Sequence, residues 1–311
     1  MKILQILFLL IFTTAFSQNN NVLELAKSKS NKKIEIEELI KFANENITVK
    51  LEKARFFYYW MNLNIKYDNE QAQVLINSKN LQIDIEHCED YKRVYSNRKG
   101  ICAGYSSLFK HFMDKSGIEC VSISGYVKRK ENLIIEPEID ITYRHGWNAI
   151  KIENSWLFVD TTWAKQYENG NINYYFATKP NELILSHFPD KKEWQLIENP
   201  ISIDEFNKQP YVNSMFFETG FEALPKLTSD NNYYYFEIPK NKNKNWLIKL
   251  TFSDEEFKNE SVFPEYFEKE KTKIYKFKKE IIKPKSILSV TLSKFSKYSM
   301  EEFSDIIIYL M

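Results

Sequence analysis

Apolar positions recur along this chain at two different periods. Residues 34–47 and 51–65 read as helices; in the second, Leu51, Ala54, Tyr58, Met61 and Ile65 recur at three- and four-residue steps and form one apolar stripe. Residues 66–100 are charged and irregular, and the pattern leaves strand and helix open there. The period returns at its clearest from Ala103 to Ser116, where Tyr105, Leu108, Phe109, Phe112 and Met113 share one helical face and Gly117 supplies the stop. The period then changes to that of strands. One runs from Cys120 to Val127, and two more, about Trp147 to Ile152 and Trp156 to Val159, are joined by a turn at Glu153-Asn154.

From about residue 200 the texture changes. Tyr233–Ile238, Trp246–Phe252, Lys273–Phe277, Ile287–Leu292 and Ile306–Leu310 read as short strands separated by Lys, Asn, Asp and Pro, the spacing of a β-sandwich of roughly 100 residues. At the other end, Lys2 precedes an apolar stretch from Ile3 to Phe16, and Ala15-Phe16-Ser17 offers small residues where a signal peptidase reads. The stretch is shorter than the ~20 residues of a spanning helix. The expected organisation is therefore a signal peptide at 1–17, a polar linker at 18–33, a helix-then-strand domain at 34–206 and a β-sandwich at 207–311. Export to a periplasmic or extracellular location follows, with no integral membrane segment after cleavage.

Composition narrows the chemistry. Lys plus Arg number 43 against 42 Asp plus Glu, a balance that argues against a nucleic-acid partner held by phosphate neutralisation. Only 7 glycines are present, and neither GxGxxG nor GxxxxGKS occurs, so no nucleotide cofactor is expected. With 3 cysteines, 4 histidines, no CxxC and no HExxH, neither a disulfide scaffold nor a metal site is expected. The 23 Phe and 19 Tyr are enough to fill a core.

Five of the seven glycines lie between residues 100 and 146, where the backbone must turn sharply or be approached closely. Cys102 sits there at the first turn of the clearest helix, where unpaired N–H groups and the helix dipole favour a thiolate and a backbone N–H can receive an oxyanion. Position alone leaves a second reading open, that of a small buried residue. The hairpin adds a second element. If Glu153-Asn154 is a two-residue turn, Ile152 faces Ser155 and Trp147 faces Asp160, so His145 lies diagonal to Asp160 on one face, at ~7–8 Å between backbones. A carboxylate there would orient the imidazole that a Cys nucleophile needs as its base. An odd-length turn would separate them.

The order Cys102, His145, Asp160, embedded in GICAGYSSLF, HGWNAI and WLFVDTTWA, resembles the transglutaminase-like superfamily, as does the Trp60 to Asp68 element. Residues 175–206, including His187-Phe188-Pro189 and Trp194-Gln195-Leu196, resemble the branch typified by the kyphoscoliosis peptidase. The resemblance covers about residues 35–206 and implies an α+β fold, a papain-like transglutaminase core followed here by the β-sandwich. It implies acyl transfer with Cys102 as nucleophile, His145 as base and acid, and Asp160 as orienter. Large animal transglutaminases use a Trp upstream of the Cys at the oxyanion; no Trp lies between Trp60 and Trp147, and Tyr67 is the candidate donor in its place.

Trp147 and Trp163 are candidates for lining a substrate groove. His187 reads as a turn histidine with local hydrogen bonds. His87 and Cys88 are adjacent, point in different directions and lack the further ligands a metal would need. Cys88 and Cys120 are open to disulfide pairing in an oxidising compartment, which would leave Cys102 free. Two functions remain. One is an exported cysteine enzyme acting on peptide or glutamine amides through a thioester, with hydrolysis favoured over cross-linking because no amine-acceptor site is evident. The other is a catalytically silent binding or scaffold protein on the same fold. The expected partner of the first is a protein or peptide substrate.

Overall fold

The computed structural model describes residues 21–77, 86–137, 141–165, 172–241, 246–253, 259–262, 264–282, 286–295 and 300–311. The segment expected as a signal peptide, 1–17, lies outside them. Within the expected linker, residues 21–28 are helical, because Val22 and Ala26, one turn apart, both find cover from solvent.

The chain divides into two compact units that interleave in sequence. The first comprises Met1–Tyr126, Arg144–Pro180 and Pro189–Ile197; the second comprises Val127–Tyr143, Asn181–Phe188 and Glu198–Met311.

In the first unit, helix α1 (Ile36–Asn46) buries Ile36, Leu39, Ile40 and Ala43. Helix α2 (Lys50–Asn64) is buried on most of its circumference, from Ala54 through Met61. It is followed by the short strand β1 (Lys66–Tyr67) and helix α3 (Asn69–Ile76), whose first turn is capped by Asp68 accepting the Gln71 N–H at 2.9 Å. Helix α4 (Tyr91–Asn97) ends at Arg98 in a left-handed conformation, φ 54°, and strand β2 (Lys99–Gly100) pairs parallel with β1, Tyr67 opposite Gly100. Helix α5 (Cys102–Lys115) follows at once, and Gly117, at φ +66°, ends it as the sequence anticipates. Its expected stripe is the core: Tyr105, Leu108, Phe109, Phe112 and Met113 are all at most 1% exposed, and Phe112 stacks on Phe57 of α2 with centroids 4.4 Å apart.

Strands β3 (Cys120–Val127), β4 (Arg144–Ile152), β5 (Ser155–Val159) and β6 (Phe176–Thr178) lie side by side in the order β6-β5-β4-β3, all antiparallel. The β4–β5 hairpin turns through two residues. Ile152 faces Ser155, Lys151 faces Trp156 and Asn148 faces Val159, with Glu153 in the left-handed region at φ 53°, as a tight hairpin of this length demands. Helix α5 packs on β4, and polar side chains fix its position: Ser106 Oγ donates to the Trp147 carbonyl at 3.1 Å, and Asn148 Nδ2 donates to the Ser106 carbonyl at 3.1 Å.

The second unit contains two antiparallel sheets. One has the order Glu265–Glu268, Thr272–Lys278, Tyr233–Pro239, Lys226–Ser229; the other has Asn259–Val262, Leu247–Ser253, Ile287–Phe295, Met300–Leu310, Tyr211–Val212. Phe236, Ile238, Tyr275 and Phe277 of the first sheet share one buried cluster with Leu250, Phe252, Leu288, Val290, Leu292 and Ile307 of the second. That is the layering of a β-sandwich. The last strand is longer than its apolar pattern announces: its first residues, Met300 to Glu302, are exposed and carry no alternation.

Candidate active site

Three elements of the first unit meet at Cys102. Cys102 is the first residue of α5, with Ile101 as N-cap in extended conformation, so the amides of the opening turn have no intrahelical acceptor. As a residue Cys102 is half-buried. It accepts a hydrogen bond from the backbone N–H of Gly146 and is hydrogen-bonded to the imidazole of His145.

His145 and Asp160 are brought together by the hairpin register. Asp160 directly follows β5, and the pairing of Asn148 with Val159 sets it diagonal to His145 on the same face. His145 Nε2 lies 2.8 Å from Asp160 Oδ2, and the two side chains are 3% and 1% exposed. The other carboxylate oxygen, Oδ1, accepts the backbone N–H groups of Thr162 at 2.8 Å and Trp163 at 2.9 Å. Asp160 N–H in turn donates to the Tyr175 carbonyl at 2.9 Å on the β6 side. With Nε2 held by Asp160, Nδ1 is the ring nitrogen left for the thiol.

Burial alone would push the Cys102 thiol up, but the hydrogen bond and charge of His145, with the Gly146 N–H, bring it below its ordinary value. Burial likewise disfavours the imidazolium, yet the Asp160 carboxylate and then the thiol outweigh it and raise His145 to about 9. The hydrogen bond between them thus shifts the pair towards thiolate and imidazolium, against the burial that disfavours both charges.

The remaining sequence candidates are placed as follows. Tyr67 is 38% exposed and lies in register with Gly100, two residues before Cys102. Trp147 and Trp163 are 1% and 4% exposed; both rings flank the His145 imidazole, at centroid distances of 6.1 and 5.6 Å, and neither presents a face to solvent. His187 belongs to a short strand rather than a turn, and its Nδ1 lies 2.8 Å from Ser186 Oγ. No disulfide joins Cys88, Cys102 or Cys120, so the Cys88–Cys120 pairing is not formed; burial pushes Cys120 up to about 12. Among the described residues, no helix is long and apolar enough to cross a membrane.

Sequence reasoning missed the two amides on Asp160 Oδ1. An Asp followed at two and three residues by free N–H groups is a local turn motif, and Asp160-Thr161-Thr162-Trp163 carries that signal. It also missed Arg144, which makes a bidentate pair with Asp190 at 2.6 and 2.7 Å and so anchors the strand end next to His145.

Residues 40–161 match the profile described as the Transglutaminase-like superfamily, so the chain carries a transglutaminase-like core. Its relatives include the kyphoscoliosis peptidases of Mus musculus, 29% identical over 67% of this chain and 31% of theirs, and of Homo sapiens, 28% identical over the same shares. Hillarin of Drosophila melanogaster is 30% identical over 56% of this chain and 22% of its own. The chain spans about a third or less of the length of these relatives.

Proposed function

We propose that this protein is an exported cysteine enzyme that acts on peptide or glutamine amides through a thioester, and that hydrolysis rather than cross-linking is its reaction. The observation that carries the reading is the hydrogen-bonded chain from the Cys102 thiol through His145 to Asp160, with the thiol lowered and the imidazole raised to about 9. In this reading the Cys102 thiolate attacks the amide carbon. His145 protonates the departing nitrogen, and a water deprotonated by His145 then cleaves the thioester. Asp160 keeps the Nε2–H on its own side, so that Nδ1 serves the sulfur. The N–H groups of the first turn of α5, with Tyr67, receive the oxyanion.

A peptide bearing a thiol-reactive glutamine analogue tests the reading. Labelling is expected at Cys102 and not at Cys88 or Cys120, and is lost in Cys102→Ala. A substrate screen that follows ammonia, new amino termini and amine incorporation should find one of the first two and no third. If Cys102 does not label, the catalytically silent scaffold takes the enzyme's place. Export is tested separately by mass spectrometry of the mature chain, which should begin at Gln18; a soluble cytoplasmic chain that keeps Met1 to Ser17 overturns it.

A further inference from the structure

Away from the thiol, the first unit holds a cleft of about 370 Å3 whose walls include Asp68, Gln71, His87, Arg93, Asn97 and Lys99. Its charges are unevenly matched. Asp68 and Lys99 answer one another at 3.1 Å, and Lys99 also meets Glu70 at 3.2 Å. Burial would raise the Asp68 carboxyl, but the Gln71 N–H and the Lys99 ammonium hold it below the ordinary range; the Asp68 and Glu70 carboxylates hold Lys99 above its own. Both groups are therefore satisfied as they stand. Arg93 is not. Its Nη1 is buried and has no hydrogen-bond partner, and no carboxylate engages its guanidinium among the described residues. A buried guanidinium nitrogen without an acceptor is costly to keep, and Arg93 is one of the residues that wall the cleft.

We propose that this cleft binds a single carboxylate group through Arg93, with the side-chain amides of Gln71 and Asn97 as further donors. One unmatched positive charge suits a monoanion, and the guanidinium fork suits a planar carboxylate. A phosphate dianion would have to draw Lys99 away from Asp68 and Glu70, and would meet the Asp68 carboxylate in the same cleft. The volume admits an acid of amino-acid size. A free small acid and a glutamate side chain on a peptide present the same group. Gly104 backs onto this region, since a Cβ there would meet the Cys88 carbonyl and Val94, so the cleft lies against the face of α5 turned away from Cys102. The proposal does not rest on the reaction assigned to the thiol.

The test is a titration of the full chain, followed by saturation-transfer NMR, with four probes: acetate, N-acetyl-glutamate methylamide, N-acetyl-leucine methylamide and inorganic phosphate. The glutamate probe is expected to bind saturably, the leucine probe not to bind, and phosphate to bind more weakly than the carboxylates. Binding of acetate as well means that a free small acid suffices; binding of the glutamate probe alone means a peptide side chain. Arg93→Gln should weaken the dissociation constant tenfold or more, Arg93→Lys less, and Lys92→Gln, on the exposed side of the same helix, not at all. Cys102→Ala should bind as the wild type does, which separates this outcome from that of the enzyme reading. The absence of saturable carboxylate binding overturns the proposal. So does tighter binding of phosphate, an unchanged constant in both Arg93 variants, or equal loss in Lys92→Gln.

Discussion

At the scale of single residues, the site depends on how the two oxygens of Asp160 are divided. Oδ1 is claimed by the amides of Thr162 and Trp163, and Oδ2 by His145. In Asp160→Asn the two amides would keep the remaining oxygen at the Oδ1 position, so the new NH2 must face Nε2. That forces Nε2 to accept and puts the ring proton on Nδ1, the nitrogen needed by the sulfur. Turnover should fall by on the order of 10^3-fold or more with the fold intact, by the same tautomer logic that governs serine triads. Loss of the carboxylate also removes the main influence that raises His145 to about 9, so the alkaline limb of activity should move to lower pH in this variant. A complete pH–rate profile of both proteins checks the two statements. A second prediction concerns the thiol. Alkylation of Cys102 by iodoacetamide should reach half its limiting rate below the ordinary thiol value, because His145 lowers it; in His145→Gln the midpoint should rise. A midpoint unmoved by that substitution would mean that the imidazole does not set the thiol. The histidine–aspartate pair was legible in the sequence because a two-residue turn fixes which residues share a face. The hydrogen bond from Gly146 to the sulfur was not, since it depends on how helix and strand pack.

At the scale of elements, helix α5 is held as closely from behind as in front. A Cβ on Gly104 would lie 2.6 Å from both the Cys88 carbonyl oxygen and Val94 Cγ2, closer than packed atoms tolerate. Helix propensity favours Ala over Gly by up to about 1 kcal/mol. The overlap with a backbone oxygen should outweigh that, and Gly104→Ala is expected to destabilise by about 1–3 kcal/mol. Gly146 makes the contrast: a Cβ there meets Ala103 and Cys102 backbone atoms only at 3.8 Å, so Gly146→Ala should fold with a stability change below about 1 kcal/mol. Urea denaturation of the two variants decides the matter, and equal midpoints would refute the packing argument. Helices α1 and α5 were legible because each buries a stripe with a helical period; α2, read from five of its apolar positions, is in fact buried nearly all round. Helices α3 and α4 were not: α3 buries no residue and α4 only Val94 and Tyr95, so neither leaves a period among the charges of residues 66–100. The glycine density around residue 100 marked a close approach, and Gly104 shows where it falls.

At the scale of the whole molecule, the sequence reads as one domain after another, whereas the second compact unit also draws on Val127–Tyr143 and Asn181–Phe188. No composition shift announces these segments: Leu185 alone carries the second into the apolar cluster of the sandwich, and the first is tied in by a few hydrogen bonds. Asn207, in the short helix Ile203–Lys208, offers its side-chain amide to the backbone of Ile135 as a strand neighbour would: Oδ1 accepts the Ile135 N–H at 2.9 Å, and Nδ2 donates to the Ile135 carbonyl at 3.0 Å. Lys128, fully buried, donates from Nζ to the carbonyls of Phe206 at 2.7 Å and Gln209 at 2.8 Å. These bonds join residues 128–135 to 206–209 across more than 70 positions of sequence, a separation no local pattern encodes. They make the segment separable in its stability from the sandwich core, where Phe236, Leu288 and Val290 are completely buried. Asn207→Ala removes both partners of the Ile135 backbone and should lower the free energy of local opening by about 1–3 kcal/mol. Hydrogen exchange of the full chain provides the measurement. The peptide covering residues 127–137 should exchange about tenfold faster or more, while the strands Tyr233–Pro239 and Ile287–Phe295 keep their protection. Asp204→Ala, an exposed change on the same helix, should leave that peptide unaltered. If Asn207→Ala instead accelerates the sandwich strands equally, Val127–Tyr143 opens only with the whole unit, and the account of it as a segment tied in by a few bonds fails.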